Sequence, residues 1–122
     1  MVTVPGFLLR KLYVKQSLKS TQDGFEFNLK NSLGSGYAYK MHPLSVDERE
    51  ISPETTTFSL ENTKQVKFSD VSKANTFTLV MNTIVTIRVT GKGLEPGPHT
   101  IRMGFDVPGL GTLQFDFTDT VK

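Results

Sequence analysis

The 122-residue chain predicts an all-β fold, a single-domain antiparallel β-sandwich of immunoglobulin-like or jelly-roll-like type with about eight short strands. Three observations carry this. Apolar and polar residues alternate at a period of two, glycine and proline turns interrupt those runs at short intervals, and no window of about 12 residues shows a helical stripe. One domain over residues 1–122 fits the length, with its first few residues loose. A chain of this size hides roughly two-thirds of its unfolded surface, enough for a core without staples.

The elements can be justified in order. FLLRKLYV (7–14) is the first strand candidate. GFEFNLKN (24–31) follows the Asp23-Gly24 turn and turns Phe25, Phe27 and Leu29 to one face. In GYAYKMHPLSV (36–46) Tyr37, Tyr39 and Met41 share the core face, and the parity switches at His42-Pro43 to Leu44 and Val46. PLSVDEREISPET (43–55) reads as strand, turn at Asp47-Glu48, strand, because Pro43 and Pro53 bracket it against helix. TTTFSL (55–60), QVKFSD (65–70) and NTFTLV (75–80) have the Thr, Val and Phe enrichment of strands. TIVTIRVT (83–90) puts Val85, Ile87 and Val89 inward. TIRMGFDV (100–107) and TLQFDFTD (112–119) put Ile101, Met103, Phe105, Leu113, Phe115 and Phe117 inward.

The last pair can be resolved to register. Val107-Pro108-Gly109-Leu110 fits a type II turn, with proline second and glycine third. That turn alone would set the two apolar faces one residue out of step, and a bulge at Gly111 realigns them. The register then pairs Phe105 with Leu113, Met103 with Phe115 and Arg102 with Asp116.

His42, His99, Arg102, Asp106 and Asp116 are the candidate ligand-site residues. Each also has a structural explanation. His99 shares the parity of Ile101 and begins a strand beside Pro98; His42 marks a crease; Arg102 and Asp116 form a cross-strand pair. Asp106 and Asp116 lie on the outward face, where an open sheet leaves carboxylates without the shifted pKa that acid–base work requires. No G-x-S-x-G elbow occurs, and LGSGYAY (33–39) lacks the helix and lysine of a phosphate loop. The run Asp47-Glu48-Arg49-Glu50 sits in a turn and points into water. No catalytic residue, cofactor or metal is assigned, since two histidines without ligand spacing do not close a coordination set.

Composition bounds the rest. Fourteen basic and twelve acidic side chains leave a formal charge of +2, spread along the chain, with Arg10-Lys11 the one adjacent basic pair. That is not the basic stripe of a nucleic-acid binder. There is no cysteine, no leader-like start and no apolar run of about 20 residues, so the expected address is the cytoplasm, away from membranes.

GFEFNLKN, PLSVDEREISPE and GKGLEPGPHTIRMGF carry a resemblance over about a third of the chain. They resemble the G-F-x-F strand, P-L-x-V-D-G hairpin and G-x-G-L-x-x-G-x-H strand entry of the accessory (beta) subunits of bacterial C-glycoside deglycosylating enzymes. The same motifs resemble small archaeal and bacterial proteins of unknown role labelled hydroxymethylglutaryl-CoA reductase. The first resemblance implies a helper packed beside a larger, metal-dependent catalytic subunit; here VDER stands in place of V-D-G. The second implies no reductase chemistry read from this chain, because a nucleotide-binding βαβ unit is not found in it.

The expected function is therefore binding: a non-catalytic accessory or assembly subunit acting through protein–protein contact and self-associating. A carbohydrate- or small-molecule-binding module is the alternative, and a hydrolase or lyase the third reading. Apolar residues on both faces near Leu79-Val80-Met81 and Ile84 predict a covered sheet surface and a homo-oligomer.

Overall fold

The computed structural model describes residues 4–60 and 64–122. The first residues, read as loose, lie partly outside that range. The strands are β1 (Lys19–Ser20), β2 (Gly24–Lys30), β3 (Gly36–Ala38), β4 (Lys40–Met41), β5 (Ser45–Val46) and β6 (Arg49–Glu50). They continue with β7 (Thr56–Leu60), β8 (Val66–Lys67), β9 (Phe77–Leu79), β10 (Ile84–Thr90), β11 (Gly97–Val107) and β12 (Gly111–Val121). One sheet runs β1-β2-β10-β7-β8, the other β12-β11-β5-β6 with β4 also on β11, and β3 pairs β9 in a small third sheet. All these pairings are antiparallel.

The two large sheets face each other across one core. Phe27 of β2 meets Phe117 of β12 edge-on with ring centroids 5.2 Å apart, and Tyr13 stacks on Phe117 at 3.7 Å. Phe58, Phe77 and Phe105 continue the aromatic seam toward the other end. The alternation read from the sequence explains who is inside: Phe25, Phe27, Val85, Ile87, Val89, Ile101, Met103, Phe105, Phe115 and Phe117 are all buried. The all-β class holds, and no described helix is long and apolar enough to cross a membrane.

The hairpin register is as expected, with Phe105 opposite Leu113, Met103 opposite Phe115 and Arg102 opposite Asp116. Leu110 N–H donates to the Val107 carbonyl at 3.1 Å, closing the Pro-Gly turn. Gly109 and Gly111 take φ of +80° and +77°, the left-handed values that the turn and the bulge demand. The Asp47-Glu48 turn is also there, both residues at positive φ between β5 and β6.

Four expectations change. The strands are not about eight short ones: the described residues form twelve, and β11 and β12 each run eleven residues on either side of the Pro108-Gly109 turn, whose register pairs them along their whole length. FLLRKLYV is not a strand but an α-turn over Gly6–Leu9 and a 3-10 turn over Arg10–Leu12. The Pro5 carbonyl accepts from the N–H groups of Leu8 and Leu9, and the turn buries Leu9 and Leu12. Tyr37 is not core; it is 48% exposed, and Ala38 takes the inward position because the chain shifts parity at Tyr39. QVKFSD is a strand only over Val66–Lys67 and then closes into a 3-10 turn that buries Phe68.

Candidate functional site

The outward face of the long hairpin carries a polar groove. Alternation sends Arg102, Gly104 and Asp106 of β11 and Thr112, Gln114 and Asp116 of β12 to that face. His42 lies across from Gly104, to whose carbonyl its N–H donates at 3.0 Å. Gly104 leaves room there: a Cβ on it would sit 3.7 Å from that of His42. His42, Ser45, Glu48, Glu50, Arg102 and Gln114 line the groove beside this crossing.

At the side of the groove that His42 and Thr112 line, His42 Nε2 lies 2.8 Å from Asp106 Oδ1, and the Thr112 hydroxyl donates to the same oxygen at 2.6 Å. A carboxylate offers only acceptors, so His42 carries its proton on Nε2. Nδ1 then has no partner among the described residues. The hydroxyl of Thr112, and after it His42, hold the Asp106 carboxyl below its ordinary range. Two donors converge on it, and the shift favours the anion, not the raised value that a carboxyl acting in acid–base work requires. A fixed anion behind an imidazole with one free nitrogen can accept a hydrogen bond or a proton from a ligand in the groove. Nothing bonds Ser45 Oγ to His42 among the described residues, so no activated hydroxyl is present there.

Asp116 sits between two guanidiniums. Arg102 approaches at 3.8 Å, as the register requires, but Arg10 is nearer at 3.2 Å and also donates from Nε to the Asp116 carbonyl at 2.6 Å. Arg10 comes from the helical turn, and sequence spacing gave no sign of it.

His99 is elsewhere. Its side chain points to the core side, as its parity requires, and is enclosed by the β5–β6 turn and the loop before β11. Nδ1 is 2.7 Å from Asp47 Oδ2 and Nε2 is 2.7 Å from the Glu95 carbonyl. Both partners are acceptors only, so both ring nitrogens donate and the imidazole is a cation. The Asp47 hydrogen bond, then the Glu95 carbonyl, raise the His99 pKa, whereas the Thr100 N–H, then His99, lower that of Asp47. The structure thus joins His42 to Asp106 and Arg102 to Asp116, and separates His99 from all four.

The clasp has a definite pH signature. A raised histidine pKa contributes stability fully below its unfolded value, and that contribution fades as pH rises through the folded value. A lowered aspartate pKa contributes above its unfolded value and fades as pH falls through the folded one. Stability from this pair is therefore greatest between the two. Urea midpoints measured from about pH 5 to 9 should fall on the alkaline side in wild type. Asp47→Asn should flatten that fall; an unchanged slope would mean His99 titrates elsewhere.

A further polar cluster escaped the sequence reading. The Tyr13 hydroxyl donates to Asp119 Oδ2 at 2.7 Å and accepts from Leu18 N–H at 3.1 Å. Burial first, and the Asp119 bond next, push the Tyr13 pKa up to about 12. That phenol pins the segment after the helical turn to β12.

The architecture is an antiparallel all-β sandwich with a polar groove on one of its sheets. The family model described as hydroxymethylglutaryl-CoA reductase, N-terminal domain, matches residues 8–122. The chain belongs to that family. No curated protein matches it significantly.

Proposed function

We propose that the chain is a non-catalytic accessory domain that works by associating with a second polypeptide, most simply a second copy of itself. One observation carries this: apolar side chains gather at one end of the molecule and remain exposed. Leu33, Tyr37, Val80, Met81 and Ile84 are between 41% and 49% exposed. They are neighbours, because Tyr37 pairs with Thr78, Met81 N–H donates to Ser35 Oγ, and Ile84 pairs with Lys30. A single exposed leucine is ordinary, but a contiguous set marks a surface that excludes water with something else.

Two further observations support the reading. His42 is paired with Asp106 and His99 with Asp47 within the chain, and the described strands form no parallel βαβ unit of the kind that cradles a dinucleotide. The family's description names a reductase, and on this reading the chain supplies binding to it and not chemistry. A larger catalytic subunit is the other partner this surface would suit.

The test is molar mass by light scattering across about a hundredfold dilution. A specific interface buries on the order of 1,200 Å² in total. Ile84→Glu puts a charge in its middle and should weaken association at least about tenfold, equivalent to about 1.4 kcal/mol. A wild type that is monomeric throughout would remove the self-association reading and shift the weight to ligand binding.

A further inference from the structure

Between the sheets, under the β3–β9 pair, lies a cavity of about 220 Å³. Leu9, Leu12, Phe77, Phe105, Leu110 and Leu113 form its walls, and its mouth opens at residues 33–37. Among the described residues, none that lines it is charged.

Asn31 is the polar side chain closest to its floor, only 3% exposed, and it is fully used. Nδ2 donates to the Gly34 and Leu79 carbonyls, and Oδ1 accepts from the Leu33 and Gly34 N–H groups. That exhausts both donors and both lone pairs. Among the described residues no buried side-chain nitrogen or oxygen lacks a partner. Water needs two to four polar partners to settle in such a space, and the side chains of Leu9, Leu12, Phe77, Phe105 and Leu113 offer none. The same four bonds tie the loop at 31–34 to Leu79. An added Cβ on Gly34 or Gly36 would meet no described atom within 4 Å.

We infer that this cavity binds a neutral amphiphile with a medium-length aliphatic chain, the chain between the sheets and an uncharged polar head at the mouth. Size sets the chain. A dry apolar cavity of about 150 Å³ takes benzene, so this larger one holds about eight to ten heavy atoms. Charge sets the head. The mouth offers the hydroxyls of Ser35 and Tyr37 and no ion to pair with a carboxylate or an ammonium.

The mouth shares Leu33 and Tyr37 with the proposed association surface, so the monomeric Ile84→Glu protein separates failure of one from failure of the other. The probes are the straight-chain 1-alkanols from butanol to decanol, titrated calorimetrically into the full chain. Affinity should rise about three- to fourfold per methylene until the space is filled, then level off. Octanoate at neutral pH should bind at least about tenfold more weakly than 1-octanol. Ala38→Phe fills the cavity from a wall position that is 1% exposed. Leu110→Trp does so from a half-buried position in the hairpin turn, where misfolding is not at issue. Each should lower 1-octanol affinity at least about tenfold. Ile84→Glu, whose residue does not line the cavity, should bind 1-octanol as a monomer. Absence of saturable binding in both wild type and Ile84→Glu overturns the inference. So does an affinity independent of chain length, or wild-type binding in Leu110→Trp.

Discussion

Replacing Phe27 by alanine is expected to destabilise the protein by about 3–5 kcal/mol. Phe27 is fully buried and its ring touches Tyr13 and Phe117, so it bridges β2, the segment after the helical turn and β12. Truncation removes the transfer energy of the ring and leaves a void that two sheets, each hydrogen-bonded on its own, cannot collapse to fill. In a domain of this size that loss lowers the Tm by more than about 10 °C. Chemical denaturation of wild type and variant measures it. A change below about 1 kcal/mol would mean that the two sheets do not share this core.

Gly24→Ala is expected to be at least as damaging, for a different reason. A Cβ on Gly24 would lie 1.8 Å from the Val89 carbonyl oxygen and 2.8 Å from its carbon. Those are backbone atoms of the neighbouring central strand, so no side chain can swing away. The end of the β2–β10 ladder must part, exposing Phe25 and Val89 and breaking pairing at the middle of the sheet. Gly104→Ala is the control. There the added methyl meets the Gln114 Cβ at 3.4 Å and the Leu113 carbonyl at 3.5 Å, ordinary contact, and the loss should stay below about 1 kcal/mol. Comparable losses at both glycines would show that lost chain flexibility, not the clash, sets the cost.

What the sequence made legible was local. The Pro108-Gly109 turn with Gly111 fixes the register of twenty-odd residues because turn type and side-chain parity are both short-range properties. The Asp47-Glu48 turn was legible for the same reason. Gly24 was read as a turn residue, but its φ is not positive; what it answers is the close passage of Val89, a contact from the far end of the chain. The helical turn at 6–12 is too short to show a period, and its meaning lies in two leucines three residues apart, Leu9 and Leu12. The groove was half-legible. Arg102 and Asp116 meet through the hairpin register, whereas His42 and Asp106 stand 64 residues apart and meet only because β4 adds to β11. His99 and Asp47, 52 apart, depend likewise on β5 lying against β11. Parity told which face each residue takes, not which strands become neighbours.

β12 has one strand neighbour, and its other side is occupied by the start of the chain. Arg10 takes the Asp116 carbonyl, while Tyr13 and the Gln16 N–H hold Asp119. An eleven-residue strand with an unclaimed side would be a template for another molecule's strand, added copy upon copy into a ribbon. Here the template is masked by a segment attached through the Tyr13 hydroxyl, the Arg10 guanidinium, the Gln16 N–H and the buried Leu9 and Leu12. The residues that cover this side contribute no strand to either large sheet, yet they set how much of the longest hairpin's edge another chain could reach.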